Sequence, residues 1–178
     1  MRQPVTSSVL QQFMKALGDA VTAPARSYVV GGATSVLLGW RDSTINVDLK
    51  VIPERDDILK SLPPLKERLQ INIELASPDD FIPELPGWRE RSRFIRQEGT
   101  LTFLHYDFYA QTLAKIERGH ALDLQDVRHM IQDGLVEPQR LLDLFTAIED
   151  QLYRYPALDA ATFRRAVDRV VQTFTPGP

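Results

Sequence analysis

No cysteine occurs in the chain, so disulfides and thiolate metal centres are excluded and nothing points to an oxidising compartment. Long apolar runs are missing as well. No stretch approaches the roughly 20 consecutive apolar residues that a bilayer crossing needs, and the first residues lack the apolar centre of a secretory leader. A cytoplasmic protein of bacterial type, with no membrane partner, is the expectation. A surplus of either charge is also lacking: 21 Lys and Arg stand against 24 Asp and Glu, a formal net charge of −3. The molecule as a whole therefore has no pull toward nucleic acid or anionic lipid, and any nucleic-acid contact needs a local basic patch. The three histidines, His105, His120 and His129, fall at no metal-ligand spacing and are given no ligand role. Internal repeats and low-complexity tracts are absent.

What remains is ordinary globular material. With 178 residues, 43% hydrophobic and 25% charged, the chain suits one domain, or one domain with a helical appendage. The pattern predicts a first helix over Val9–Ala20, capped by Ser7 or Ser8, with Val9, Leu10, Phe13 and Leu17 inward. Thr22–Arg26 reads as a loop into a first strand. Further on, Pro53 ends a second strand, and a helix from Glu54 to Leu62 stops at Pro63-Pro64. Gln70–Ala76 alternates as a third strand, with Ile71, Ile73 and Leu75 inward and Asn72 and Glu74 opposite. Ser77–Arg91 is a Pro-rich connection of a length that often carries function. Phe94–Arg96 and Thr100–Tyr106 read as a strand pair turned at Glu98-Gly99. Helices fill the rest: Phe108–Arg118, Asp123–Asp133, Pro138–Arg154 and Ala160–Phe174, with Gly119 and Gly134 where stops belong. Trp40, Phe103, Phe108 and Phe145 are expected in the core. The fold class is α/β of the α+β kind, a small mixed sheet followed by a helical C-terminal part.

The chemistry is expected at Tyr28–Val51, YVVGGATSVLLGWRDSTINVDLKV. An apolar strand ends at Gly31-Gly32, a helical stretch Ala33–Gly39 follows, and Ser43–Val51 alternates as the second strand. Gly31 and Gly32 permit positive φ and close backbone approach, and the amides that open a helix attract phosphate. On the second strand Ile45, Val47 and Leu49 share one face, and Thr44, Asn46, Asp48 and Lys50 the other. Oxygen-bearing residues two apart on a strand, beside a phosphate-binding turn, suit a magnesium–nucleotide site. A solvated edge-strand face is the plainer alternative for Asn46 and Asp48. Glu74, on the strand expected alongside, is a candidate third carboxylate, or a solvated residue of a half-exposed strand.

GGATSVLLGWRDSTINVDL resembles the opening motif of the polymerase-beta-like nucleotidyltransferase superfamily, a Gly-Gly or Gly-Ser pair, a short helix and a strand bearing Asp-x-Asp. PDDFIPELPGWRERSRFI and LAKIERGHALDLQDVR are similar to a bacterial group of small nucleotidyltransferase-like proteins, related to the toxin enzymes of type IV toxin–antitoxin pairs. The similarity runs from about Tyr28 to the C-terminal helices. It implies a nucleotidyltransferase core over residues 1–106 with helices over residues 107–178 packed on it. It also implies transfer of a nucleoside monophosphate from a nucleoside triphosphate to a hydroxyl, with Mg2+ or Mn2+. The acceptor would be tRNA, a protein or a small molecule, and an antitoxin a possible partner protein. The metal set would be Asp48, Asn46 and Glu74. Asp48 matches the second aspartate of the motif, but Asn46 stands at the first and brings an oxygen without a charge.

Further residues enter beside that set. Gly31, Gly32, Ser43 and Thr44 are placed at the nucleotide, and Arg41, in the turn before the second strand, is within reach of a phosphate or simply exposed. Lys115 and Asp126 lie 11 residues apart, about three helical turns, although Gly119-His120 interrupts an unbroken helix. Alternatively Asp123 caps a new helix with Asp126 near its first turn. The resemblance implies that Lys115 binds phosphate, Asp126 or Asp123 orients it, and Arg118 borders the nucleotide; an interhelix salt bridge is the competing reading. Asp79 and Asp80 read as a turn or cap. Arg89, Arg91, Arg93 and Arg96 after Trp88 are either a solvated loop or a surface that stacks on and neutralises nucleic acid.

Overall fold

Alternating and helical hydrophobic patterns resolve, in a computed structural model describing residues 1–177, into a mixed α/β protein of 55% helix and 18% strand. Contacts gather into two units: Met1–Ser77 with Ser92–Tyr106, and Pro78–Arg91 with Asp107–Pro178.

The first unit opens with β1 (Val5–Thr6), which runs straight into α1 (Ser7–Ala20). Thr6, one residue ahead of the expected serines, is the cap, its Oγ1 accepting from Val9 N–H at 3.4 Å. Leu10, Phe13, Met14 and Leu17 form the buried stripe. β2 (Ala25–Val30) begins inside the expected loop, and α2 (Gly31–Leu37) follows it without an intervening turn. The expected second strand is two pieces, β3 (Ser43–Thr44) and β4 (Asn46–Ile52). The break turns Ile45 outward, to 77% exposure, whereas Val47 and Leu49 are fully buried as predicted. α3 (Asp56–Leu69) continues through Pro63-Pro64, against the expected stop. Both prolines and Lys60 lie on the exposed side, where water takes the carbonyls that lose N–H partners, and Leu62 and Leu65 anchor the helix on either side of the break. β5 (Asn72–Leu75) follows; Ile71 and Ile73 are buried, but Leu75 at the strand's end is exposed.

β6 (Arg93–Glu98) and β7 (Leu101–His105) complete a five-stranded sheet of order β5-β4-β2-β7-β6. β2 is antiparallel to β4 and parallel to β7, and β4 is parallel to β5. A separate two-stranded ribbon pairs β1 with β3, Val5 opposite Thr44. Val29, Val47, Leu49, Ile73 and Phe103 face Phe13, Leu17 and Ile58 in one apolar cluster.

α1 lies against the β6–β7 hairpin at a glycine. A Cβ on Gly18 would fall 2.3 Å from Glu98 Cβ and 2.7 Å from Glu98 O. Alanine at a helix interior normally gains about 1 kcal/mol over glycine, but overpacking costs about 3 kcal/mol. Gly18→Ala is therefore expected to lose about 2 kcal/mol net, read as a lower urea midpoint; an unchanged midpoint would mean that the helix and the hairpin are not pressed together.

In the second unit, Pro78–Asp80 forms a 3-10 turn and α4 (Trp88–Arg91) a single turn of helix. α5 (Phe108–Arg118) is capped by Asp107, whose side chain accepts from Tyr109 N–H, and ends at Gly119 with φ +69°. α6 (Ala121–Gln132) starts at His120, so Asp123 sits in the first turn and is not its cap. α7 (Pro138–Ile148) passes into a 3-10 turn, Glu149–Arg154, and α8 (Ala160–Phe174) is capped by Asp159. Phe145 and Phe163 meet edge to face at 4.9 Å between ring centroids in the buried layer of α7 and α8. No helix among the described residues is long and apolar enough to cross a membrane.

Candidate functional site

β2 delivers the chain to Gly31, whose φ of +64° an L side chain rarely adopts. Only this residue of the glycine pair needs that freedom; both belong to the first turn of α2. A Cβ on Gly31 would stand 3.2 Å from Asp48 Oδ2. The cause is the antiparallel register, which sets Asp48 opposite Val30, the last residue of β2. Gly32 is needed for space. A Cβ there would fall 2.2 Å from Thr44 Oγ1, and Thr44 is held in place by its pairing with Val5. The Asp48 carboxylate and the Thr44 hydroxyl thus both lie against the glycine bend. Ser43 is exposed beside Thr44, and Arg41 is half-buried in the turn before β3.

Glu74 joins them from the edge. Parallel pairing sets it beside Asp48, so the two side chains leave the same face of strands about 4.8 Å apart. Asn46, on that face too, donates from Nδ2 to Glu74 Oε1 at 3.0 Å. An open groove of about 480 Å³ runs beside Glu74, lined by Leu59, Leu62, Pro63, Lys66, Ile73 and Leu75.

Two carboxylates and an amide are hard oxygen donors, and Mg2+ typically takes one or two carboxylates and fills its shell with phosphate oxygens and water. Among the described residues no three His, Cys, Asp or Glu gather as a ready-made metal cage. Two carboxylates and an amide leave most of such a shell to be filled from outside the protein, and the space left by the missing Gly31 side chain lies at Asp48.

The sequence pattern gave His105 no role, yet it braces the bend. Its Nδ1 lies 3.2 Å from Thr34 Oγ1, and that hydroxyl donates to Val29 O at 3.1 Å. The hydroxyl proton being used, Nδ1 must be the protonated nitrogen of a neutral ring. Burial, with the nearby Arg93 charge, brings the His105 pKa down to about 4. The alternation Leu101, Phe103, His105, all inward, was the available signal. The unfolded chain takes up this proton near pH 6.5 and the folded chain only near 4, so the contribution is intact above 6.5 and lost as pH falls toward 4, about 3 kcal/mol in all. Urea midpoints at about pH 7 and pH 4.5 should fall further apart for the parent than for His105→Asn; equal separations would overturn the assignment.

In the second unit, Lys115 and Asp126 do not lie along one helix. They face each other across the Gly119 turn, Nζ to Oδ2 at 2.8 Å, with Asp123 Oδ1 at 3.5 Å. Lys115 is 4% exposed. Arg118 grips both oxygens of Asp123 at 2.7 Å. Burial pulls the Asp123 carboxyl upward, but the Arg118 hydrogen bonds and the two cations outweigh it and hold the group below the usual carboxylate range. The arginine-rich stretch is largely committed as well. Arg91 holds Asp107 through two bonds, at 2.6 and 3.1 Å, Arg96 pairs with Glu98 at 2.5 Å, and Trp88 is buried with Arg89 over its ring. A buried indole does not stack on nucleic acid, which removes that reading for Trp88.

In comparison with known proteins, no family model, no curated protein and no solved structure matches the chain.

Proposed function

We propose that the protein is a metal-dependent nucleotidyltransferase whose reaction takes place at the Gly31–Asp48–Glu74 corner of the sheet. The observation that carries the reading is the direct apposition of the Asp48 carboxylate and the glycine bend. The absence of a side chain at Gly31 lets the phosphates come close to the bend and to Asp48. Asp48 and Glu74 would hold Mg2+ or Mn2+, which supplies neutralisation of the triphosphate charge. An acceptor hydroxyl attacks the α-phosphorus, the bond from that phosphorus to the bridging oxygen breaks, pyrophosphate leaves, and the hydroxyl proton passes to Glu74 or water. Ser43, Thr44 and Arg41 border the nucleotide in this reading, whereas Lys115, Asp126 and Arg118 stabilise the helices. Membership of a toxin–antitoxin pair, a cytoplasmic setting and a choice among tRNA, protein and small-molecule acceptors belong to the same proposal.

The assay is incubation of the purified chain with each α-labelled nucleoside triphosphate, Mg2+ or Mn2+, and cell extract. Label is expected in an RNA, protein or small-molecule fraction with at least one nucleotide. No label with any of them would overturn the enzyme reading. The donor count favours one second reading, a nucleotide-binding module without turnover; metal-dependent nucleotide binding with no label would select it.

A further inference from the structure

Asn46 is the side chain on the polar face whose identity departs from the motif, and its contact gives that departure a physical role. Register sets Asn46 opposite Asn72 and Glu74 opposite Asp48, yet the Asn46 amide reaches diagonally to Glu74 Oε1 at 3.0 Å. The ends of the amide are fixed by chemistry: an ionised carboxylate only accepts, so the NH2 end must face it. Glu74 is exposed on an edge strand, and a solvated glutamate is spread over many rotamers unless something selects one. Asn46 selects one. Aspartate at this position has no proton to donate, and two facing carboxylates repel unless a cation lies between them.

We propose that Asn46 is a positioning residue, which fixes the Glu74 carboxylate on the face that carries Asp48 without adding charge, so that the corner takes one divalent cation where an aspartate at position 46 would call for two. The inference rests on the nucleotidyl-transfer reading above. Asp48 and Glu74 together carry two negative charges, which one divalent ion balances. Paired-metal sites hold ions about 3.5–4 Å apart and require further acids to share them, and the described residues gather no third acid there. Asparagine is then a working part of a one-cation site. The Asn46 nitrogen serves Glu74, which reassigns the residue from the expected metal set to the support of that set.

The test uses the full chain and Mn2+ alone, followed by loss of the free-ion electron paramagnetic resonance signal. The parent is expected to bind one Mn2+ per chain and Asn46→Asp two. Asn46→Ala should keep one, about tenfold more weakly, the loss expected when a hydrogen bond to a charged group goes. Glu74→Gln, which keeps the size of the side chain and removes its charge, should weaken Mn2+ by more than Asn46→Ala does. Thermal unfolding of each variant reports folding, and Asn46→Ala and Glu74→Gln each keep the test alive if Asn46→Asp fails to fold. In the label assay, Asn46→Ala should lower kcat and raise the Mn2+ requirement while the KM for nucleotide stays within about twofold. Two Mn2+ in the parent, or Asn46→Ala binding Mn2+ as the parent does, would overturn the role of Asn46 while leaving nucleotidyl transfer standing. A parent that binds no Mn2+ and transfers no label would overturn both.

Discussion

Asp48→Asn is expected to lower label transfer about a thousandfold while the protein unfolds within a few degrees of the parent. Asn46 is already an amide, so this change leaves Glu74 as the only carboxylate of the three. One unit charge at about 4 Å is worth about 4 kcal/mol at an effective dielectric near 20, which corresponds to about three powers of ten in rate. The amide has the shape of the acid, and Asp48 lies half-buried on a strand whose opposite face, Val47, Leu49 and Val51, carries the packing. The loss should appear in kcat at saturating Mn2+. Transfer at the parental rate by a folded Asp48→Asn protein would remove the corner from the chemistry.

Lys115→Met is expected to cost about 3–5 kcal/mol of stability, the usual result of leaving a buried charge without its counter-ion. Methionine matches the lysine stem in length, so the change is one of charge more than of volume. Arg118 still neutralises Asp123, so the loss falls on Asp126, itself buried, which no longer faces the Lys115 ammonium. Lys115→Met combined with Asp126→Leu should recover most of the loss, because an apolar replacement of a whole buried pair is often neutral or better. Denaturant titration reads both. A single variant within about 1 kcal/mol of the parent would contradict the burial argument. The double variant also separates the two readings of Lys115. Transfer that returns together with stability would mark the pair as an interhelix staple; stability that returns without transfer would overturn that assignment.

Where the fold was legible, a local signal fixed each end of an element. α5 and α8 occupy the predicted residues because Asp107, Gly119 and Asp159 mark their limits within a residue or two. Where expectation failed, the deciding term was tertiary. Pro63-Pro64 carry a stop signal, yet Leu62 and Leu65 hold α3 together around them. Ile45 continues an apolar alternation, but the pairing of β3 with β1 ends one strand before it and turns it to solvent. At the candidate site, strand alternation placed Asp48 and Glu74 on polar faces, and their adjacency followed once the strands were neighbours. The diagonal bond from Asn46 to Glu74 and the pairing of His105 with Thr34 depend on which elements are neighbours and in what register, which no periodicity carries.

The course of the chain has a practical consequence. The polypeptide leaves the sheet at Ser77, spends Pro78–Arg91 among the helices, returns for β6 and β7, and leaves again at Tyr106, with Arg91 clasping Asp107 where the two excursions begin and end. A fragment severed after Tyr106 would therefore carry Ile82, Leu85 and Trp88, all buried in the intact chain, with nothing to cover them and with Arg91 robbed of its acid. Such a half would be sticky in solution. A cleaner dissection would join Ser77 to Ser92 through a short flexible bridge, so that the sheet is closed by its own strands.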